Sequence, residues 1–85
     1  MVDLTAIVLT KNEEKNIVDC IQSLKGFAKR VVVVDSGSTD ATVELAKELG
    51  AEVYTHAFEN YARQFNWGIE NTNIDTKWIL RLDAD

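Results

Sequence analysis

Val31-Val32-Val33-Val34-Asp35-Ser36-Gly37-Ser38-Thr39-Asp40 is the stretch that decides the fold. Four consecutive valines with no polar alternation do not suit a strand with one wet face. They read as a strand covered on both sides, as in a parallel sheet sandwiched by helices. The polar run behind them is turn chemistry, and Asp40 is placed to cap a helix whose inner face carries Val43, Ala46 and Leu49, with Leu45 nearby. Gly50 is the expected stop of that helix. Strand, turn, helix is therefore the local grammar, and it repeats on both sides.

Upstream, Leu4-Thr5-Ala6-Ile7-Val8-Leu9 is a short run of β-formers. Asn12 is expected to cap the first helix, with Glu13 and Glu14 at its positive end. Ile17, Cys20, Ile21 and Leu24 then follow at helical spacing, and Gly26 closes the helix. Downstream, residues 52–55 read as a third strand. Tyr61, Phe65 and Ile69 mark a third helix over about 60–71. Residues 77–82 read as a fourth strand that runs into Asp83-Ala84-Asp85. The predicted class is α/β, alternating β-α-β-α-β-α-β with a parallel sheet flanked by helices. Right-handed crossovers point all strands one way. If the spatial order is 3-2-1-4, the winding reverses between strands 1 and 4, where open α/β sheets bind their ligands. Residues 10–13, 35–40, 56–61 and 83–85 gather on that rim.

Composition narrows the field. The chain has 85 residues, 9 Lys plus Arg against 14 Asp plus Glu, and a net charge of −5. That excess argues against general nucleic-acid binding and against a bare anionic membrane surface. An apolar share of 46% is that of a globular protein. Cys20 is the single cysteine and His56 the single histidine, so neither a disulfide nor a Cys/His zinc site is expected, and a reducing, cytosolic setting fits best. No signal-peptide pattern is read at the start, and the four valines are far short of a bilayer span. With no proline and no Gly/Ser-rich stretch, 1–85 reads as one domain.

The rim residues carry the chemistry. The first βα turn, Leu9-Thr10-Lys11-Asn12-Glu13-Glu14, contains no glycine, which excludes both a dinucleotide fingerprint and a P-loop. In Asp83-Ala84-Asp85 the two carboxylates project to one side of an extended chain. Alone this reads first as a solvated acidic turn. As a site, it would hold a hard divalent ion that bridges to diphosphate oxygens. Asp35 either starts a turn or accepts a hydrogen bond from a donor edge such as the imide of uracil; both readings stay open. Arg63 is an exposed helix residue or a fork for a phosphate oxygen. Tyr61, Phe65 and Trp67 read as packing residues, although Phe65 and Trp67 cannot share one helix face. His56 reads as structural, Cys20 as core and Lys11 as solvated.

With these residues in place, the chain resembles the nucleotide-binding half of a family 2 glycosyltransferase of the GT-A fold. The resemblance rests on residues 7–17 (Ile-Val-Leu-Thr-Lys-Asn-Glu-Glu-Lys-Asn-Ile), 33–42 (Val-Val-Asp-Ser-Gly-Ser-Thr-Asp-Ala-Thr), 61–66 (Tyr-Ala-Arg-Gln-Phe-Asn) and 82–85 (Leu-Asp-Ala-Asp), in that order and spacing. It looks closest to the lipopolysaccharide-core type of β-glycosyltransferase. There Asp-Ser-Gly-Ser-Thr-Asp stands for the wider family's Asp-Asp-Gly-Ser-Thr-Asp, so Ser36 is a mild departure.

The resemblance implies a nucleotide-sugar donor, most often a UDP-sugar, and Mg²⁺ or Mn²⁺. By position, Thr10 and Glu13 would line the nucleoside pocket. Asp35 would contact uracil and Arg63 would approach the diphosphate or base. Asp83 would bind ribose or metal, and Asp85 would ligate the metal. No catalytic base is assigned, because in the family it lies beyond the metal motif, as does the pocket for a glycan or lipid-linked acceptor. The expected protein is thus a truncated donor-binding domain, inactive alone, that is cytoplasmic or peripheral at the inner membrane face. Its fourth strand, with Trp78, Ile79, Leu80 and Leu82, is expected to be an exposed edge open to self-association. The competing readings are a nucleotidyltransferase-like enzyme, which usually has a glycine-rich basic first turn, and a non-catalytic nucleotide-binding or interaction module.

Overall fold

The computed structural model describes residues 2–84. The elements are β1 (Val2–Thr10), α1 (Ile17–Lys25), β2 (Ala28–Asp35), α2 (Thr42–Glu48), β3 (Glu52–Thr55), α3 (Tyr61–Asn71) and β4 (Trp78–Asp83). All strand pairs are parallel and the sheet order is β3-β2-β1-β4. This is the predicted α/β class, and the order is the one that places the reversal of winding between β1 and β4. Thr10 pairs with Asp35, Asp35 with Thr55, and Leu9 with Asp83, so the four carboxyl ends lie level.

The valine run explains the layers. Val31 and Val33 face one side with Ala6 and Val8, against Ile17, Ile21 and Leu24 of α1 and Ala46 of α2. Val32 and Val34 face the other side with Ile7 and Leu9, under Phe65, Trp67 and Ile69 of α3. All four valines are buried. Each contributes about 1.5–3 kcal/mol relative to an exposed position, whereas a surface ion pair contributes about 0–1 kcal/mol. Central-strand burial, not surface charge, sets the architecture.

Several local expectations need correction. Asn12 does not cap α1. It sits in the left-handed region at φ 53, and α1 begins only at Ile17. The side chain of Asn12 is engaged elsewhere, accepting the Thr39 N–H at 2.8 Å. Glu13 and Glu14 therefore lie in the loop before α1. Tyr61 does not face the core: the buried positions of α3 are Gln64 and Gly68. Phe65 and Trp67 are both half-buried against the same cluster, one on each side of the buried Gln64–Gly68 line. Asn60, read as the start of the third helix, caps α3 by accepting the Arg63 N–H at 2.9 Å. The cap position of α2 is Ala41, one residue after the expected Asp40. The Asp40 carboxylate accepts the Thr42 N–H at 3.0 Å. Gly50, at φ 85, ends α2. Cys20 is half-buried beside the core, and that burial raises its thiol pKa.

At the amino-terminal end of the sheet Arg30 ties β2 to β3. It donates two 2.7 Å bonds to the Glu52 carboxylate and reaches the Thr72 and Asn73 carbonyls at 2.8 and 3.0 Å. The hydrogen bonds from Arg30 hold Glu52 below the usual carboxylate range. β4 forms an edge of the sheet, and Trp78 and Ile79 on it are exposed. Among the described residues no helix is long and apolar enough to cross a membrane.

Gly68 sets how closely α3 approaches the sheet. A Cβ there would lie 3.2 Å from Val34 Cγ2 and 3.3 Å from Ile7 Cγ2. Both neighbours are fully buried side chains of central strands and cannot easily retreat. Gly68→Val is expected to destabilise the chain by about 1–3 kcal/mol through overpacking, read as a lower urea midpoint. An unchanged midpoint would show that α3 is not seated this closely.

Candidate functional site

The loops after β1 and β2 are knitted into one unit. Asp35, 1% exposed, is its centre. One carboxylate oxygen accepts from the Thr10 hydroxyl at 2.6 Å and from the Ser38 hydroxyl. The other accepts the Gly37 and Ser38 N–H groups at 2.9 and 2.7 Å. Burial pushes this carboxyl upward, but the four hydrogen bonds outweigh it and leave Asp35 below its usual pKa. Around this centre the loops exchange further bonds. Asn12 N–H donates to Ser38 Oγ, Glu13 N–H to Thr42 Oγ1 and Glu14 N–H to an Asp40 carboxylate oxygen. Glu14 in turn accepts the Ala41 N–H, and Lys11 Nζ donates to the Gly37 carbonyl at 2.7 Å. Gly37 adopts φ 98, a left-handed conformation that suits glycine.

Beside this unit lies a cleft of about 510 Å³, a size that suits a small-molecule ligand. Its floor is Leu9 and Thr10, and Ser36 lies on the β2 side. Asp83 and Ala84 at the end of β4 form one edge. Phe58, Tyr61 and Gln64 form the wall supplied by the segment after β3 and by α3. The cleft thus opens on the carboxyl ends of the strands and spans the β1–β4 switch point.

The candidates divide by position. Thr10, Glu13 and Asp83 line the cleft. Asp35 does not, because its carboxylate is turned into its own loop and its acceptor capacity is taken up there; the neighbouring residue at the cleft is Ser36. Arg63 is exposed and pairs with Glu59 at 2.7 Å, away from the cleft lining. Asp85 lies outside the described residues. Lys11, read as solvated, lines the cleft, as do Phe58, Tyr61 and Gln64. Phe58 follows from the strand ends, which place residues 56–61 on the rim. Gln64 gives no such signal, because a polar residue in a helix is ordinarily read as exposed.

Asp83 is an exposed hard-oxygen donor with no ion pair among the described residues. Nor do those residues gather three His, Cys, Asp or Glu side chains that would enclose a metal. Such an edge fits a cation of the Mg²⁺ kind, held by one or two carboxylates and completed by ligand phosphates.

Comparison with known proteins agrees with this layout. The family described as glycosyl transferase family 2 matches residues 5–85. The chain belongs to glycosyl transferase family 2. A Rickettsia bellii protein described as an uncharacterised glycosyltransferase is 42% identical over 82 residues, covering 96% of this chain and 27% of its own length. Glucosyl-3-phosphoglycerate synthase of Mycobacterium tuberculosis, solved with Mn²⁺, UDP and glucosyl-3-phosphoglycerate, superposes with a TM-score of 0.78 at 22% identity, over 96% of this chain and 33% of that one. Mannosyl-3-phosphoglycerate synthase of Rubrobacter xylanophilus gives 0.83 at 21% identity, over 96% and 30%. These superpositions establish a shared GT-A nucleotide-binding fold. The chain spans about a third or less of the relatives it matches.

The Asp35 knot makes the loop pair of this family 2 domain acid-sensitive. A carboxyl whose folded pKa lies below its unfolded value adds stability only while ionised. Its contribution is complete above about pH 4 and is lost as pH falls through the folded value. Asp35→Asn is expected to lower stability at pH 7 and to flatten the fall in stability below about pH 4, measured by urea titration across pH. An undiminished acid slope in the variant would place the sensitivity elsewhere.

Proposed function

We propose that residues 1–85 form a single donor-binding domain of a metal-dependent, inverting glycosyltransferase that uses a UDP-sugar. The observation that carries this reading is the cleft at the β1–β4 switch point with the Asp83 carboxylate on its edge, in a chain of glycosyl transferase family 2. An acidic rim without a glycine-rich turn cannot attract a diphosphate by itself, and Glu13 at the cleft would repel one. A divalent ion reverses that sign. Asp83, with Asp85 as its partner two residues on, would hold Mg²⁺ or Mn²⁺. When bound, the ion supplies positive charge for the departing diphosphate.

The chain's own residues do the remaining work. Thr10 and Ser36 shape the floor of the nucleoside side, with Glu13 at its mouth. Asp35 acts one layer down, holding the loop that presents Ser36. Arg63 is proposed to approach the diphosphate or base only after release from Glu59, since its guanidinium is held there at 2.7 Å. None of the 85 residues is assigned as the base that deprotonates the acceptor hydroxyl, so the domain is proposed to bind donor without transferring sugar. The acceptor is proposed to be a glycan or lipid-linked saccharide of the lipopolysaccharide-core kind, handled in the cytoplasm or at the inner face of the membrane. The exposed β4 edge is proposed to self-associate in the 85-residue chain. The nucleotidyltransferase alternative is disfavoured by the first loop, which is clamped by side chains rather than opened by glycines for a triphosphate.

Calorimetric titration with UDP, with and without Mn²⁺, tests this reading. Binding is expected to strengthen with Mn²⁺, and Asp83→Ala or Asp85→Ala is expected to remove that gain, a loss on the order of tenfold or more. Equal UDP binding with and without metal, or a preference for a nucleoside triphosphate, contradicts it.

A further inference from the structure

β4 is an edge of the sheet, and its outer side is an unpaired ladder of backbone groups. The Ala84 N–H donates inward to the Leu9 carbonyl at 3.3 Å. Backbone groups alternate along a strand. Those of Trp78, Leu80 and Leu82 therefore also turn toward β1, and those of Ile79, Arg81 and Asp83 turn outward. Side chains alternate as well. Leu80 and Leu82 pack on the α1 side of the sheet, and Trp78, 58% exposed, shares that side. Ile79, Arg81 and Asp83 take the other side. Lys77, just before the strand, and Asp83, at its end, are both exposed. Neither has an ion-pair partner among the described residues.

Such an edge can pair with a copy of itself. Two β4 strands joined about a twofold axis normal to the sheet run antiparallel. Outward backbone groups must then meet outward backbone groups, so the axis passes through a residue. Charge selects which one. Centred on Ile79, the pairing sets Lys77 against the partner's Arg81 and Asp75 against the partner's Asp83. Centred on Arg81, it sets two arginines face to face. Centred on Leu80, it opposes Lys77 to the partner's Asp83, Trp78 to the partner's Leu82 and Leu80 to the partner's Leu80. Of the three, this register alone joins opposite charges and lays apolar side chains against each other, and symmetry repeats the charged and the Trp78 contacts. Larger shifts oppose less of the strand.

We propose that the β4 edge docks a second copy of this chain, antiparallel and centred on Leu80, and that this pairing competes with cation binding at Asp83. The Lys77 ammonium of one copy meets the Asp83 carboxylate of the other, the group offered to a divalent ion in the nucleotide reading above. The competition rests on that reading; the pairing does not. An ammonium and a divalent ion repel each other at one carboxylate, so loaded chains part and paired chains load weakly. By linkage the two effects are equal in size.

Sedimentation of the 85-residue chain over a concentration series tests the pairing. The chain is expected to form a dimer. Lys77→Glu sets a second carboxylate against the partner's Asp83 and is expected to weaken the dimer about tenfold. Adding Asp83→Lys to that variant restores it. In a Cys20→Ser background, Leu80→Cys cross-links to its own copy under mild oxidation and Leu82→Cys does not, because only residue 80 meets itself. A monomer at every concentration overturns the pairing. So does a dimer insensitive to Lys77→Glu, or one that cross-links through residue 82. Mn²⁺ with UDP is expected to weaken the dimer about tenfold. A dimer unmoved by them, in a chain that calorimetry shows to bind UDP with Mn²⁺, overturns the competition. If calorimetry shows no UDP binding, the nucleotide reading and the competition fall together, while the charge swap and the cross-link still decide the pairing.

Discussion

The Asp35 carboxylate, buried at the end of a central strand, is the constraint on which the rest of the site depends. Its four hydrogen bonds come from the end of β1 and from the loop after β2. Left without those donors, a buried charge of this kind would cost several kcal/mol. With them, it forces two loops from separate βα units to close on each other. The parallel register supplies the geometry, since it brings Thr10 and Asp35 side by side. The cleft beside the knot therefore has a fixed floor before any ligand arrives.

Division of labour follows from that arrangement. Residues of the Asp35 knot are turned inward and position the site. Thr10 both belongs to the knot and lines the cleft, and the other groups presented there include Ser36 beside Asp35, Tyr61 at the start of α3, and Asp83 at the end of β4. Among the described residues the cleft is lined by one cation, Lys11, and two carboxylates, Glu13 and Asp83. Its own charge is thus unfavourable to a diphosphate, which is why the metal is central to the proposed function and why a basic anion pocket is not the right description.

The fold was legible because it follows from non-local rules that a single sequence does display. Four unalternating valines require two covered faces, and right-handed crossovers then leave few strand orders. What was illegible had partners far away in the chain. Asn12 obeys every local rule for a helix cap, yet its side chain is taken by Thr39, 27 positions on. The Tyr61-Phe65-Ile69 stripe pointed to the right helix, and Phe65 and Ile69 do pack on the sheet, but Tyr61 is exposed and the fully buried positions are Gln64 and Gly68. A glutamine satisfied by a histidine and a glycine in close van der Waals approach carry no hydrophobic signal. Within the candidate site, Thr10, Glu13 and Asp83 were readable from their strand ends. The inward turn of the Asp35 carboxylate and the pairing of Arg63 with Glu59 depend on side-chain geometry that spacing does not encode.

The most direct measurement is paramagnetic broadening of backbone amide resonances on adding UDP and a trace of Mn²⁺ to the ¹⁵N-labelled chain. Broadening should be strongest at Leu9, Glu13, Asp83 and Ala84, at the carboxyl ends of β1 and β4. It should be absent at Lys29 and Gly50, near the opposite end of the sheet. Broadening centred on any other part of the surface, or none in the presence of UDP, would contradict a metal-assisted nucleotide site at this switch point.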